Sequence, residues 1–254
     1  MDPVAIFAAL QWECQAVLRH LRDVARHRLG TVAAWHGHTA GQDVWLVKTG
    51  VGVQRAATAA RLLSDRQRCA LFVSTGCAGA LAEDLGPGDL AVARAIVAPG
   101  GAQHDTDAVQ RAHAFRVAER AALRATIATV LCSPEALRSA RAKRAAARTH
   151  GAVAVEMEGA PIAARAAEVG VPFLSVRAIL DTVDTELPEG LVDRDNGTIR
   201  SRALVSHLVT HWHSLPSLLP LLRMQAAARG SLARFFGAWF AETQHRPCRC
   251  ATAC

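Results

Sequence analysis

Three acidic residues follow apolar segments at points where they could act on one ligand. Glu13 comes after VAIFAALQW, Glu158 ends the run VAVEME, and Asp181 follows FLSVRAIL. Open α/β sheets bind ligands at the carboxyl ends of their strands, and a carboxylate there is costly to desolvate unless it is paired, hydrogen-bonded or used in function. Glu13 alone could be an ordinary first-turn helix residue. Three acids at equivalent sheet positions predict one shared pocket.

Two glycine-containing turns are a second candidate binding element. TGVG ends at Gly52, and STGCAGA contains Gly76, Cys77 and Ala78. Glycine lets backbone N–H groups approach a ligand closely. Neither segment has the spacing of a dinucleotide-binding fingerprint or a Walker loop, so simple turns between a strand and a helix are the alternative interpretation.

No metal or cofactor is predicted. The sequence contains neither an H-E-x-x-H motif nor a G-x-S-x-G elbow. His207 and His211 have the spacing of one helix face but lack a third ligand. Cys248, Cys250 and Cys254 lie in a terminal segment without the paired ligand clusters of a structural zinc site, so a frayed terminus is the preferred interpretation.

The order of apolar and amphipathic segments predicts an α/β fold. Short apolar runs alternate with helical stretches rich in Ala, Leu and Arg, beginning with a predicted strand over 4–10 and a predicted helix over 13–27. Such alternation favours parallel pairing with helices on both faces of the sheet. We therefore predict a single-domain three-layer α-β-α sandwich with a mixed, mostly parallel central sheet.

Composition and charge narrow the classes of partner. A hydrophobic fraction of 51% is typical of a globular protein, and no apolar run is long enough to cross a bilayer. Asp2 stands where a signal peptide needs basic residues, so we expect a cytoplasmic protein. The net charge is +7, and the basic residues are spread along predicted helices. The sequence has no tyrosine and few other aromatic residues that could stack on bases. We therefore expect an anionic substrate or an acidic membrane surface rather than nucleic acid.

Two longer segments resemble a known family. They are VSTGCAGALAEDLGPGDLAVA and AVEMEGAPIAARAAEVGVPFLSVRAILDTVD. Their order of a glycine turn, a GD turn, a V-E-M-E helix start and a V-R-A-x-x-D strand end is similar to the purine nucleoside phosphorylase and methylthioadenosine/S-adenosylhomocysteine nucleosidase superfamily. The resemblance extends from Val4 to about Asp184. It implies a nucleoside phosphorylase-like fold and cleavage of the bond between a purine and a ribose-type sugar.

The resemblance implies roles for individual residues. Asp181 resembles the general acid that protonates N7 of the purine, which makes the base a better leaving group. Glu158 resembles the carboxylate that accepts hydrogen bonds from the ribose hydroxyls and favours positive charge on the sugar. Met157 is expected to pack against the sugar, and Cys77 stands where the family usually has a serine. The other residues expected to line the substrate site are Gly52, Gly76, Ala78 and Val155.

Glu13 bears on the choice of nucleophile. It matches the acid that activates water in the nucleosidases. Phosphorylases of the superfamily commonly place a phosphate-binding arginine in the strand before the glycine turn, and that position is Ser74 here. Both observations favour hydrolysis. Arg55 and Arg94 fall near the expected pocket, so phosphate stays open as the alternative.

The C-terminal part resembles one branch of the superfamily. The segment from Leu187 is similar to the extension of hopanoid-associated phosphorylases, and Lys143 fits the same branch. This implies release of adenine from a nucleoside with a bulky apolar 5′ substituent, of the adenosylhopane type, in hopanoid biosynthesis. The alternatives are a methylthioadenosine/S-adenosylhomocysteine nucleosidase, a phosphate-dependent purine nucleoside phosphorylase and a non-catalytic nucleoside-binding protein.

Three regions are expected along the chain: a catalytic domain over 1–200, a helical extension packed on it over 201–245, and a flexible tail over 246–254. The extension combines Leu, Phe and Trp with spaced arginines, as in an interfacial helix at the inner membrane face. Pro216, Pro220 and Gly230 predict short helical pieces, which favours packing on the domain or on a partner subunit. The resemblance also implies a homodimer.

Overall fold

The computed structural model describes residues 2–39, 41–98, 100–186 and 215–243. The strands and helices in these ranges are β1 (Val4–Ala8), α1 (Gln11–Leu18), β2 (Arg22–Leu29), β3 (Val32–Thr39), β4 (Gln42–Lys48), α2 (Val53–Ser64), β5 (Leu71–Ala80), β6 (Leu90–Val97), β7 (Gln103–Asp105), α3 (Ala108–Arg120), β8 (Ala125–Cys132), α4 (Ala140–His150), β9 (Ala154–Glu156), α5 (Gly159–Glu168), β10 (Phe173–Asp181) and α6 (Leu215–Thr243). The predicted tail, the C-terminal histidines and cysteines, and the extension before Leu215 lie outside the described residues.

The strands form one mixed sheet, in the order β10-β6-β8-β9-β5-β1-β4-β3-β2, with β7 paired to β6. β10 also pairs with β5, so β10, β6, β8, β9 and β5 close into a ring. β1 runs parallel to β4 and β5, and β10 runs parallel to β5. The antiparallel pairs include β10 with β6 and β5 with β9. The predicted α/β fold with a mixed sheet is confirmed.

Helices cover both faces of the sheet, because two separate sets of apolar side chains are buried there. One set joins α2 and α5 to the sheet through residues such as Leu63 and Ile162. The other joins α1, α3 and α6 through residues such as Val17, Val117 and Phe236. Since apolar burial is the main driving force of folding, these two layers fix the sheet that carries the acidic residues.

The predicted helix over 13–27 is wrong in its second half. α1 ends at Leu18, and β2 begins at Arg22 and pairs antiparallel with β3. All residues of β2 except Leu29 are exposed. β2 has no buried face, so its arginine- and histidine-rich sequence lacks the alternation of apolar and polar residues that predicts a strand. Its structure is determined by pairing with β3.

The predicted breaks at Pro216, Pro220 and Gly230 are also wrong, because α6 is continuous from Leu215 to Thr243. Pro216 lies in the first turn, where a missing N–H has no intrahelical partner to lose. α6 packs on α1, α3 and β10, and its second half buries Phe235, Phe236, Trp239 and Phe240. This burial supports the helix despite Pro220. Among helices of the described ranges, none has the length and hydropathy needed to span a membrane.

Replacing Phe236 by Ala is expected to lower the free energy of unfolding by about 3–5 kcal/mol, because a buried ring would leave a cavity. Phe236 makes edge contacts with Phe235 and Trp239. Leu222, which is 54% exposed on the same helix, is the control, and its change to Ala is expected to alter stability by no more than about 0.5 kcal/mol. Urea denaturation measures both. Equal, small losses would contradict the packing of α6.

Candidate active site

Glu13 joins the start of α1 to the glycine-containing segment of β5, which is part of the strand and not the predicted turn. It lies in the first turn of α1 and is buried. Its Oε2 accepts hydrogen bonds from the N–H groups of Ala9 at 2.9 Å and Leu10 at 2.8 Å. Its Oε1 accepts the N–H of Cys77 at 2.8 Å. Glu13 is therefore a first-turn helix residue, as the capping interpretation has it, and it also contacts β5.

Gly76 provides the space for this contact. Its φ of 144° lies in the region that glycine adopts readily. A Cβ at this position would stand 2.7 Å from Glu13 Oε1 and 2.9 Å from Arg177 Nη1. Any side chain would therefore separate the carboxylate from the N–H of Cys77 and displace the guanidinium.

Arg177 is a site residue that the sequence analysis missed. It is buried in β10, and its Nη2 donates to Ser74 Oγ and to Glu156 Oε2, each at 2.5 Å. Glu156 also accepts the N–H groups of Glu158 at 2.9 Å and Gly159 at 2.7 Å. The signal was present in the sequence, since an arginine inside an apolar strand and the first acid of VEME both need a partner when buried.

Glu158 is the N-terminal flanking residue of α5 and is buried beside the glycine turn after β4. Its Oε1 accepts the N–H of Gly52 at 2.8 Å. Its charge and that of Glu13 both raise the pKa of Cys77, after the larger effect of desolvation. Glu158, Gly52, Glu13 and Cys77 therefore belong to one cluster.

Asp181 ends β10 opposite Gly79, where β5 also pairs with Val155 of β9. Its two carboxylate oxygens are each 3.4 Å from the position that a Cβ on Gly79 would occupy. Its partner is the buried ammonium of Lys143, which donates to Oδ2. Gly79 lies two residues beyond Cys77, a distance of roughly 7 Å along a strand. Asp181 and Glu13 therefore reach neighbouring points of β5.

Burial dominates the protonation of these acids. It raises the pKa of Glu158 to about 8, with a further increase from the charge of Glu156. Burial also raises the pKa of Glu13, although the N–H groups of Leu10 and Cys77 oppose the shift. The pKa of Asp181 is likewise raised by burial, against the opposing effect of Lys143.

The other predicted site residues have different surroundings. Met157 is partly exposed next to Glu158. The side chains of Ala78 and Val155 pack in apolar clusters of the core, so their contribution to a site would come mainly from the backbone. Arg94 is held by Thr129 on β8. Arg55 lines a cleft that also includes Thr49 and Gly50.

In the part of the chain that the structure describes, no three His, Cys, Asp or Glu side chains are grouped so that they could hold a metal ion. The cleft at Arg55 has a volume of about 510 Å³ and includes Lys48 and Thr49. It lies beside the turn that leads to Gly52.

Curated relatives align with most of this chain. The chain is 27% identical over 205 residues to 5′-methylthioadenosine/S-adenosylhomocysteine nucleosidase from Actinobacillus succinogenes, covering 72% of this chain and 87% of that protein. It is also 27% identical, over 214 residues, to the enzyme of the same name from Aeromonas salmonicida, covering 73% and 89%.

Solved structures share the fold. The nucleosidase of the same name from Neisseria meningitidis superimposes with a TM-score of 0.76 at 18% identity, covering 96% of this chain and all of that one. Futalosine hydrolase from Helicobacter pylori superimposes with a TM-score of 0.74 at 19% identity, covering 95% and 98%.

The sequence model of the phosphorylase superfamily matches residues 3–210 of this chain. This range contains Glu13, Glu158 and Asp181, together with both segments on which the resemblance was based. By this match the chain belongs to the phosphorylase superfamily and is, as the sequence predicts, an enzyme of that family.

Proposed function

We propose that this chain hydrolyses the N-glycosidic bond between adenine and the sugar of a nucleoside. The proposal is carried by an excess of buried carboxyl groups over buried basic groups. Among the described residues, four carboxyl side chains but only two Lys or Arg side chains are buried, namely Glu13, Glu156, Glu158, Asp181, Lys143 and Arg177. Arg177 pairs with Glu156, and Lys143 pairs with Asp181. Glu13 and Glu158 are left with backbone N–H donors.

This imbalance suits a reaction that creates positive charge on the sugar. When a glycosidic bond breaks, the ribosyl carbon becomes cation-like, and nearby carboxylates stabilise that charge more strongly in a water-poor site. Glu158 then orients the sugar by accepting its hydroxyl hydrogens. Asp181, which burial helps to keep protonated, donates a proton to the leaving base.

Water is the proposed nucleophile. In this proposal Glu13, whose Oε1 accepts the N–H of Cys77, accepts a proton from a water molecule beside that residue. Arg177 stands next to Ser74, the position at which phosphorylases of the superfamily commonly have their phosphate-binding arginine, but its charge is engaged by Glu156. A phosphate dianion would therefore find no free cation among these groups and would further oppose ionisation of Glu13 and Glu158, whereas neutral water carries no such cost.

Two substrate classes follow from different observations. The curated relatives, named for methylthioadenosine and S-adenosylhomocysteine, support a nucleoside with a thioether 5′ substituent. The resemblance of the segment from Leu187 to hopanoid-associated phosphorylases supports a bulky apolar 5′ group of the adenosylhopane type. The relatives match 72% and 73% of this chain, so we favour the first class.

Three further expectations remain proposals. They are the division of the chain into a catalytic unit over 1–200 with an extension over 201–245, a homodimer, and contact with a membrane face. α6 buries its aromatic side chains in the core. Membrane contact would therefore depend on its first half, where Leu222 is exposed.

Adenine release is expected to proceed equally well with and without phosphate and to yield the free sugar product. Glu13→Gln keeps the size of the side chain but cannot accept the proton of water, and we expect a loss of about 10²- to 10⁴-fold in kcat. Chromatography of adenine and of the sugar product measures both. A phosphorylated sugar formed only in the presence of phosphate would contradict hydrolysis.

Methylthioadenosine is expected to be turned over with a higher kcat/KM than an adenosine bearing a long 5′ alkyl chain, if the thioether class is correct. The same adenine assay compares the two substrates at matched concentrations below saturation. A clear preference for the alkyl nucleoside would favour the hopanoid class instead.

Glu158→Gln is expected to make the protein more stable relative to the unchanged chain at pH 8 than at pH 5, while it lowers activity. The folded-state pKa of Glu158, about 8, lies above the ordinary glutamate value of 4.5. The folded state therefore holds a proton that the unfolded state releases, and stability is lost as the pH rises between these values. Urea denaturation at both pH values measures the effect. Glu119→Gln, on the exposed face of α3, is the control, and a pH-independent difference for Glu158→Gln would refute the argument.

A further inference from the structure

Lys143 is a buried lysine whose ammonium meets three oxygen atoms. Its side chain has 0% exposure. Nζ donates to the carboxylate of Asp181, to the main-chain oxygen of Thr182 at 2.7 Å and to that of Thr185 at 2.9 Å. An ammonium has three N–H donors, so each has an acceptor, and the charge is fixed at the end of β10.

α4, which carries Lys143, also holds the residues that follow Asp181. Nη2 of Arg144 donates to Asp184 at 2.5 Å, and the N–H of Ala140 donates to Glu186 at 3.1 Å. Arg144 binds Glu83 as well. α4 thus contacts the chain over 181–186 at several points, but the contact with the Asp181 carboxylate is made by Lys143.

We infer that Lys143 is a positioning residue for the proton transfer: it aims the Asp181 carboxyl group at the base and stabilises the negative charge left when Asp181 gives up its proton. This inference rests on the proposed function and goes beyond it, since that function needs only Asp181. Lys143 itself does not touch the nucleoside in this scheme.

Burial raises the pKa of Asp181, and the Lys143 ammonium opposes that rise. Burial alone would hold the proton too firmly on the carboxyl group for rapid transfer. In the transfer, the O–H bond of Asp181 breaks and an N7–H bond forms. The electron pair of the O–H bond stays on the carboxylate, and that of the glycosidic bond moves to the adenine ring. The new carboxylate then faces the Lys143 ammonium, so the lysine favours the state after transfer.

The other charges around Asp181 are engaged with one another. Arg144 pairs with Glu83 and Asp184. Asp89, which follows the turn before β6, pairs with Arg124. Glu186 accepts from the start of α4. The neighbouring positions of β5 and β9 are Gly79 and Val155, which carry no charge.

The test compares Lys143→Gln with Arg144→Met through the pH dependence of kcat. Gln is neutral but can still donate to the carbonyl oxygens of Thr182 and Thr185. Removing an opposite charge in contact raises the pKa of a carboxyl group, so the alkaline limb of the profile should move upward by about one to three pH units. The value of kcat at pH 7 should fall by about 10- to 100-fold, the size typical for groups that orient a functional side chain.

Arg144→Met is the matched control, because it loosens the same segment without touching Asp181. The alkaline limb of its kcat–pH profile should coincide with that of the unchanged chain. The effect of Lys143→Gln should also vanish when it is added to Asp181→Asn, because the lysine acts through that carboxyl group. An unshifted limb in Lys143→Gln, the same shift in Arg144→Met, or additive losses in the double variant would each overturn the inference.

A measurement without substrate separates this inference from the proposed function. The Asp181 carboxyl can be titrated by carbon NMR in aspartate-labelled protein, with its signal identified by its absence in Asp181→Asn. Its pKa should be higher in Lys143→Gln than in the unchanged chain. If the unchanged chain releases no adenine, the proposed function fails. If it releases adenine but the titration does not move, the role of Lys143 fails alone.

Discussion

Among the residues that the structure describes, buried carboxyl groups outnumber buried Lys and Arg side chains, and this excess is the constraint on which the site depends. An isolated carboxylate is expensive to remove from water, yet Glu13 and Glu158 are buried with backbone N–H groups as their hydrogen-bond donors. The fold can hold them because two apolar layers of helices stabilise the sheet around them. The destabilised charge is then available to a cation-like sugar, which is how stability is exchanged for function in many active sites.

The closed ring of strands explains why distant residues meet. β5 continues through its glycine-containing segment to Ala80, where β10 and β9 pair with its final residues. Glu13 reaches this segment from α1, Asp181 from β10 and Glu158 from the start of α5.

The sequence predicted the acids better than their partners. Glu13, Glu158 and Asp181 stand out because each follows an apolar run. Arg177 was missed because an arginine in VRAIL looks like part of a strand, and its partners Ser74 and Glu156 are distant in the chain. The predicted secondary structure was wrong where burial leaves no hydrophobic pattern in the sequence. β2 is such a case, because it is exposed along almost its whole length. α6 was predicted as broken because local proline rules do not include the aromatic side chains buried farther along.

The same excess of buried carboxyl groups narrows the choice of nucleophile within the protein. Desolvation, and next the charge of Glu13, raise the pKa of Cys77 well above that of a free thiol. A thiol that keeps its proton is a poor nucleophile, so replacing the family's serine by cysteine does not create a thiolate for covalent catalysis. Arg177, the cation beside Glu13, is neutralised by Glu156. A neutral molecule small enough to lie between Glu13 and the sugar is therefore the reactant that this electrostatic environment opposes least, and water meets that description.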